Sequence, residues 1–505
     1  MAKLSDLPSE LVYRIIDYIL VRDDQGPDDW QGQPIDADHH HLLDHNGIGP
    51  IKPKPRPHLE RFSRNPTPRT LPRHFRAAAT SQPNASWPGA IPSNPLLPLS
   101  LVNRTFRRCA QELLFKNVPV LSRWRAISFL QTLTWHAIQN PATPAGGWFN
   151  RKQKKNAQDN NVWMVRWFDI DYSRLSSLAR HVRSLQLVCE GLCSVVKGSG
   201  HLFCGIIRSC PLLTNIAIST AVSMDCKDYM LEALSSRPLI KEFVILENLD
   251  HSRSIFQWNV DDVVGRLFSQ WDHLETVELS GLRGPSGQLM GSAQRPIPIL
   301  NCDVLTLILR NPELDEQELS RFLKCFRHSM RTLEISNPGG GIDVEGFGRI
   351  LQGSTNPDLE CLKVENDWRL DDSESIVSSA VGDVEHDIPH SNKSLLDGVF
   401  ESPSALRRLK SLSFNCDTAT NKLFQCLPDS IVKLAWEDCD ISLTAFAEVL
   451  SSSTLDKPVL PNLKCCSVRH RWGLSPEEFR NAQAALEIRD ACFHSDFTLE
   501  DGSPA

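Results

Sequence analysis

From Val182 onward the sequence predicts an α/β solenoid, and before it a small all-α segment that a long insertion interrupts. Three observations lead there. A six-residue pattern, apolar-x-x-apolar-x-apolar, recurs ten times with near-constant spacing. Helix-period stripes with capping residues fall between the copies. Near the N-terminus, two amphipathic stretches are held apart by chain rich in proline and almost without apolar periodicity.

The first amphipathic stretch is Leu4 to Leu20. Leu11, Val12, Ile15, Ile16, Ile19 and Leu20 recur at helical spacing and make one broad apolar stripe, with Tyr13, Arg14 and Asp17 on the other side. Asp6 can cap this helix, and Pro8 sits in its first turn, where a missing N–H is harmless. Residues 1–21 form the first unit. Arg22 to Asn94 follows with twelve prolines and a scatter of Gly, Asn, Gln and His, so it reads as a disordered insertion. Loop-closure entropy grows only logarithmically with length, so the insertion costs on the order of 2 kcal/mol and leaves the flanking segments able to pair. His39, His40 and His41 lie within it and do not by themselves make a metal site.

Residues 95–118 resume the helical pattern. Val102, Phe106, Ala110, Leu113 and Leu114 form an apolar stripe, while Arg104, Arg107, Arg108 and Glu112 face water. Residues 119–175 read as a helical and loop linker, with Ile127, Leu130, Leu133 or Thr134, and Ile138 on one side of a helix and a break at Pro141 to Gly147. Trp148, Trp163 and Trp167 flank a basic, Asn-rich stretch that reads as a surface loop.

The repeats occupy residues 176–495. Taking the second apolar position of each copy gives Leu185, Ile216, Phe243, Val277, Leu307, Leu333, Leu362, Leu412, Leu434 and Cys466. The steps between them are 31, 27, 34, 30, 26, 29, 50, 22 and 32 residues. Each step fits one strand and one return helix, with alternate strand side chains buried. The step of 50 holds an acidic insertion at 365–397, nine carboxylates against Arg369 and Lys393, read as disordered. Asp315 with Glu318 predicts a capping box before Leu319, Phe322, Leu323 and Phe326. Ser475, Pro476 and Glu478, with Leu474 against Phe479, predict another at the last helix. Residues 496–505 read as a disordered tail.

Composition narrows the function. The chain has 505 residues, 41% of them hydrophobic and 23% charged, which is ordinary for globular protein. Its apolar runs are too short for a membrane span, and Glu10, Arg14 and Asp17 in the first helix do not suit a signal peptide, so an intracellular, cytoplasmic or nuclear protein is expected. The fifteen cysteines include no C-x-x-C and read as reduced core residues, with no metal site. The basic run from Lys52 to Arg76 lacks a folded frame and interleaved aromatics, so nucleic-acid binding is not expected. Gly339, Gly340 and Gly341 with Gly346 and Gly348 lack the GK[ST] ending of a phosphate loop. No G-x-S-x-G or H-E-x-x-H occurs, and no cofactor is expected.

Leu7-Pro8, Glu10-Leu11 and Ile15, followed by Ser100 to Arg104, Phe106-Arg107 and Leu113 to Phe115, together resemble an F-box. Asn103 and Phe106 stand where that family often has Cys and Trp. The ten repeats resemble the irregular leucine-rich repeats of F-box proteins, with Asn248 and Cys439 at the family's Asn or Cys ladder position. The fold this implies is a leucine-rich-repeat horseshoe behind an interrupted F-box. The implied function is the substrate receptor of a Skp, cullin and RING ubiquitin ligase, itself non-catalytic. Leu7, Pro8, Leu11, Ile15, Leu101, Val102 and Phe106 would meet the Skp-family adaptor. An unknown target protein would meet the outward strand positions, for which Glu242, Glu278, Arg310, Glu334, Lys363, Glu365, Glu437 and Arg469 are candidates. The alternative reading is a leucine-rich-repeat scaffold without a ligase role.

Overall fold

The computed structural model describes residues 7–24, 99–120, 122–138, 175–187, 199–218, 226–245, 257–284, 300–339, 342–365, 394–402, 406–415, 418–437, 439, 441–452, 459–469 and 475–495. The predicted insertion from residue 25 on, the tail, the tryptophan stretch, the histidine triplet, Asp6, Asn248 and Leu474 fall outside these residues. The chain divides into two units, Met1–Glu190 with Gly205–Leu213, and Gly191–Cys204 with Thr214–Ala505.

In the first unit, helix α1 spans Ser9–Asp24 and helix α2 spans Arg104–Lys116. α1 therefore runs three residues past the predicted boundary at residue 21. The two stretches, far apart in sequence, fold as one pair. Val12 and Ile16 of α1 pack with Phe106, Cys109 and Ala110 of α2, and Leu7, Tyr13, Leu99, Leu113 and Leu114 close around them. Tyr13 Oη donates to Glu112 Oε2 at 2.6 Å, joining the helices beside that core. Asn103 has extended backbone and accepts from the Phe106 N–H at 2.9 Å, so it serves as the N-cap of α2.

α2 stops two residues before the end of the predicted segment. Asn117–Val120 is strand β1, paired in parallel with β2, Ser184–Leu187, so residues 117–118 belong to a sheet. The predicted linker contains helix α3, Arg123–Ile138, with Ala126, Leu130 and Leu133 buried.

In the second unit, ten strands follow one another in chain order, every pair parallel and with no stagger. They are β3 (Asn215–Ile218), β4 (Glu242–Ile245), β5 (Thr276–Ser280), β6 (Thr306–Arg310), β7 (Thr332–Ser336), β8 (Cys361–Glu365), β9 (Ser411–Asn415), β10 (Lys433–Glu437), β11 (Cys465–Arg469) and β12 (Cys492–Ser495). All ten sequence copies are strands, β2 to β11. The pattern missed β1 and β12, whose apolar positions are too few to register.

The spacing ladder is the observed register. Ile216, Phe243, Val277, Leu307, Leu333, Leu362, Leu412, Leu434 and Cys466 lie opposite one another, and Phe493 extends the rank. Alternation then sends positions two and four of each strand to one face and positions one, three and five to the other. The first of these faces is covered by return helices. Phe243 meets Trp271 at 5.1 Å between ring centroids, Phe268 meets Phe326 at 5.9 Å, and Trp436 meets Phe446 at 5.3 Å. Burying such side chains contributes about 1.5–3 kcal/mol each, which is what a strand of five residues needs to hold its place.

The return helices include α4 (Ser199–Arg208), shared between the two units, α5 (Lys227–Ser235), α6 (Glu316–Lys324), α7 (Val344–Ser354), α8 (Leu395–Phe400), α9 (Leu423–Cys426), α10 (Leu443–Ser452) and α11 (Pro476–Glu487). Neighbouring helices are tied sideways. Arg349 of α7 holds Glu316 of α6 with two bonds, at 2.9 and 2.8 Å. Asp315 caps α6 through the Glu318 N–H, and Ser475 and Glu478 complete a reciprocal box at α11. Of the glycines after β7, Gly346 serves the repeat. Gly346 lies in the first turn of α7, where Asp343 caps its N–H and an added Cβ would lie 2.7 Å from the Glu316 carboxylate.

The acidic insertion is shorter than its charge pattern. Glu365 ends β8, and Leu395 to Asp397 begin α8, the return helix between β8 and β9. Asp397 is buried and accepts from the Thr420 N–H and hydroxyl at 3.2 and 2.5 Å. A carboxylate count treats it as solvated because it cannot see that partner.

Turns after the strands use left-handed residues at a fixed place. Gly281, Asn311 and Asn337 directly follow β5, β6 and β7 with φ of 65°, 48° and 49°. Each N–H donates to the last carbonyl of the next strand, at 2.8, 2.8 and 2.7 Å, and Asn337 Nδ2 donates to Asn311 Oδ1 at 3.1 Å. Gly and Asn tolerate this conformation at little steric cost. Cys439, the other ladder residue of the sequence, is buried and its thiol donates to the Glu437 carbonyl.

Candidate functional site

The helix pair leaves part of its apolar surface uncovered. With Val12 and Ile16 turned into the pair, Leu11 and Ile15 are 44% and 37% exposed on α1, one turn apart. Leu101 and Val102, in the turn before α2, are 76% and 47% exposed. Four of the seven predicted adaptor-facing residues are thus large, apolar and accessible, and Pro8 is exposed beside them in chain order. Leu7 is half-buried against the pair. Phe106 is 3% exposed, so it holds α2 to α1 and offers no surface. Helical periodicity places Phe106 on the apolar stripe but does not say which part of the stripe the partner helix takes.

Tyr13 is held protonated. Burial and its bond to the Glu112 carboxylate both push its pKa above the ordinary phenol value, so it remains a donor across the neutral range.

On the sheet face opposite the return helices, the predicted target-facing residues fall into three ranks set by the register. Glu242 stands at position one, Glu278, Glu334 and Lys363 at position three, and Arg310, Glu365, Glu437 and Arg469 at position five. Glu334 lies directly opposite Lys363, and Glu437 opposite Arg469 with 3.9 Å between charged atoms.

Five of these groups form a network of three carboxylates and two cations. Arg310 Nε donates to Glu278 at 2.9 Å, Lys363 Nζ meets Glu365 at 2.6 Å, and the Ser336 hydroxyl donates to Glu365 at 2.8 Å. Burial opposes the charge on Arg310, but Glu278, Glu334 and Glu365 outweigh it and hold its pKa above the ordinary value. Burial also pushes the Glu365 carboxyl up, and Lys363, Ser336 and Arg310 pull it further down, leaving it below an ordinary glutamate.

The prediction for Glu278 needs correcting. Its side chain is only 6% exposed, and Val244 and Ile308 on either side of it are buried, so at β4 to β6 this face is not open. Glu278 fixes Arg310 instead of meeting a partner. Glu334, Lys363 and Glu365 remain partly exposed, and Glu437 and Arg469 are exposed. Ion pairs this open are individually weak, which suits a surface that exchanges internal partners for external ones.

A third group was not foreseen. Cys465, Cys492 and His494 each offer a ligand atom, all within 4.8 Å of one another, and each residue is half-buried. His494 Nε2 is 3.2 Å from Cys492 Sγ. Burial, reinforced by Cys492 alongside, pushes the Cys465 thiol up to about 12. The expectation that the cysteines are core residues holds for Cys109, Cys204, Cys210, Cys226, Cys302, Cys439 and Cys466, which are buried and outside any disulfide. Cys325, Cys361, Cys426, Cys465 and Cys492 are half-buried instead, and the last two, with His494, make a group of side chains that could ligate a metal ion. The signal was present in the spacing ladder. Cys465 is one residue before a ladder position and so faces outward, and C-x-H at 492–494 puts both side chains on one face of any strand.

These features define an open α/β repeat unit, each strand followed by a return segment that is helical in most of the described repeats, joined in sequence to an all-α pair. No family model matches the chain, and neither does any curated protein. Among solved structures it is similar to a Bacteroides fragilis protein, at 13% identity and a TM-score of 0.31, covering 50% of this chain and 67% of that one. It is also similar to the complex of Rad7 and Elc1 in yeast, at 13% identity and a TM-score of 0.32, covering 61% of this chain and 76% of that one. Likeness at this level does not bear on function. Among the described residues no helix is long and apolar enough to cross a membrane.

Proposed function

We propose that this chain is a substrate receptor of a Skp-cullin-F-box ubiquitin ligase. The observation that carries the reading is the helix pair. Two motif halves resembling an F-box, separated by the longest interruption in the chain, pack against each other and leave Leu11, Ile15, Leu101 and Val102 exposed. Exposed residues of this kind, drawn from both halves, are what a helical adaptor would cover. The Skp-family adaptor would dock there and bring the cullin and RING subunits with it.

The repeat unit would hold the target protein through Glu334, Lys363, Glu437, Arg469 and Glu242 on the face opposite the return helices. The chain would contribute no chemistry of its own. By holding a target near a charged ubiquitin-conjugating enzyme it would turn a bimolecular transfer into a quasi-intramolecular one.

The test is capture of a purified Skp-family adaptor by the full chain, comparing wild type with Leu11→Asp/Val102→Asp and with Glu437→Gln/Arg469→Gln. Binding by wild type and the sheet variant, lost in the helix variant while its circular dichroism is unchanged, supports the receptor reading. Failure of the folded wild type to bind would overturn it and leave the repeat scaffold without a ligase role.

A further inference from the structure

We propose that Cys465, Cys492 and His494 form a zinc site at the C-terminal end of the sheet. The geometry begins with the register. Cys465 of β11 lies directly opposite Cys492 of β12, and Ser467 opposite His494. Parallel neighbours are about 4.8 Å apart, so two cysteines at one register position bring their sulfurs together. His494 is two residues beyond Cys492 and shares its face. The three ligand atoms therefore converge from two adjacent strands held in place by the ranks beneath them, Cys466 and Val468 on β11 being fully buried.

Distances and chemistry fit a tetrahedral ion. Zn–S bonds of about 2.3 Å and Zn–N bonds of about 2.0 Å put the ligand atoms roughly 3.5–3.8 Å apart. The ligand atoms all lie within 4.8 Å of one another, with His494 Nε2 3.2 Å from Cys492 Sγ, so small side-chain rotations bring all three onto one ion. Two thiolates and a dication sum to zero charge, which suits a half-buried place. Thiolate and imidazole together select a borderline-soft ion over magnesium or calcium. Three protein ligands leave a fourth position, which the half-exposed setting gives to water. Lys433 stands opposite Cys465 on β10 and is exposed.

The site is independent of the ligase reading and lies in the repeat unit. Its structural consequence is that β12 would be tied to β11 by a bond stronger than their backbone ladder.

The experiment uses the full chain, purified under reductant. Zinc retained after dialysis is measured by mass spectrometry of the metal, and cobalt is titrated into the stripped protein. The expected result is one equivalent of zinc and a thiolate-to-cobalt charge-transfer band with tetrahedral d–d absorption. Cys465→Ser and Cys492→Ser lose both signals, and His494→Ala weakens zinc binding by at least about 10-fold, since loss of a ligand should cost no less than loss of an outer-shell partner. Cys361→Ser, at the same strand position on β8, retains them. Lack of bound zinc in the reduced wild type would overturn the proposal. So would retention of the metal by the Cys465→Ser/Cys492→Ser double variant, which would put the ion elsewhere in the chain.

Discussion

Replacing Phe106 with alanine should separate the two N-terminal helices while the repeat unit stays folded. Phe106 is 3% exposed and sits among Val12, Ile16, Cys109 and Ala110, which are themselves at or near zero exposure. Truncating a buried phenylalanine costs about 3–5 kcal/mol, the transfer term plus the cavity left behind. Beside that apolar core, the Tyr13–Glu112 bond at 2.6 Å also ties the helices and is worth about 1.5–3 kcal/mol as a hydrogen bond to a charged group. Loss of Phe106 therefore removes more than that bond supplies. Amide hydrogen exchange reads the result directly. Protection across α1 should fall by about 10²–10⁴-fold, the range that 3–5 kcal/mol spans, limited by the pair's own opening energy. Amides of β7 to β9 should not change. Leu101→Ala is the control, because a residue 76% exposed should shift stability by less than about 0.5 kcal/mol. If α1 keeps its protection in Phe106→Ala, or if both variants lose it equally, the two motif halves do not form the pair described above.

Two further outcomes test the repeat unit. Asn356 is 3% exposed, its Nδ2 donates to the Met330 carbonyl at 2.8 Å, and its Oδ1 accepts from the Asp358 N–H at 2.9 Å. Asn356→Leu leaves both backbone groups without this partner, so the urea midpoint should fall by the equivalent of about 2 kcal/mol or more, and an unchanged midpoint would show the bonds to be dispensable. Glu365 is held below the ordinary glutamate value of 4.5 by Lys363, Ser336 and Arg310 against its burial. A depressed folded-state pKa means stability that is complete above the unfolded value and lost as pH falls through the folded one. Thermal stability measured from pH 6 downward should therefore fall more steeply below about pH 4.5 in wild type than in Lys363→Met, and identical acid limbs would remove Lys363 from that account.

Much of the repeat architecture was legible in the sequence because a buried strand needs apolar side chains at every second position. The rank from Ile216 to Cys466 could be written down from spacing alone, and the structure pairs those residues in that order. Capping residues were legible for the same local reason, as Asp315 and Ser475 act within three residues of themselves. The pairing of α1 with α2 was legible only through motif resemblance, since two stripes do not name each other. Errors cluster where a residue's role depends on something distant. Phe106 and Leu101 look equally apolar, and Glu278 and Glu334 look equally outward. Their fates differ through which neighbouring surface is occupied. Leu406 and Leu460 take left-handed backbone with φ of 49° and 54°, which no propensity suggests. Each costs about 1–2 kcal/mol, offset by side chains only 3% and 1% exposed.

By itself, then, the sequence determined the period of the chain and which side chains turn inward, because both follow from bonds between near neighbours. The tertiary structure decided which outward side chains meet. Return segments of unequal length nevertheless deliver every strand of the repeat unit without stagger. That lateral register sets Arg310 of β6 on Glu278 of β5, and Cys465 of β11 beside Cys492 and His494 of β12. Contacts between strands depend on how each helix packs before the chain returns, and that packing energy is spread over the whole core.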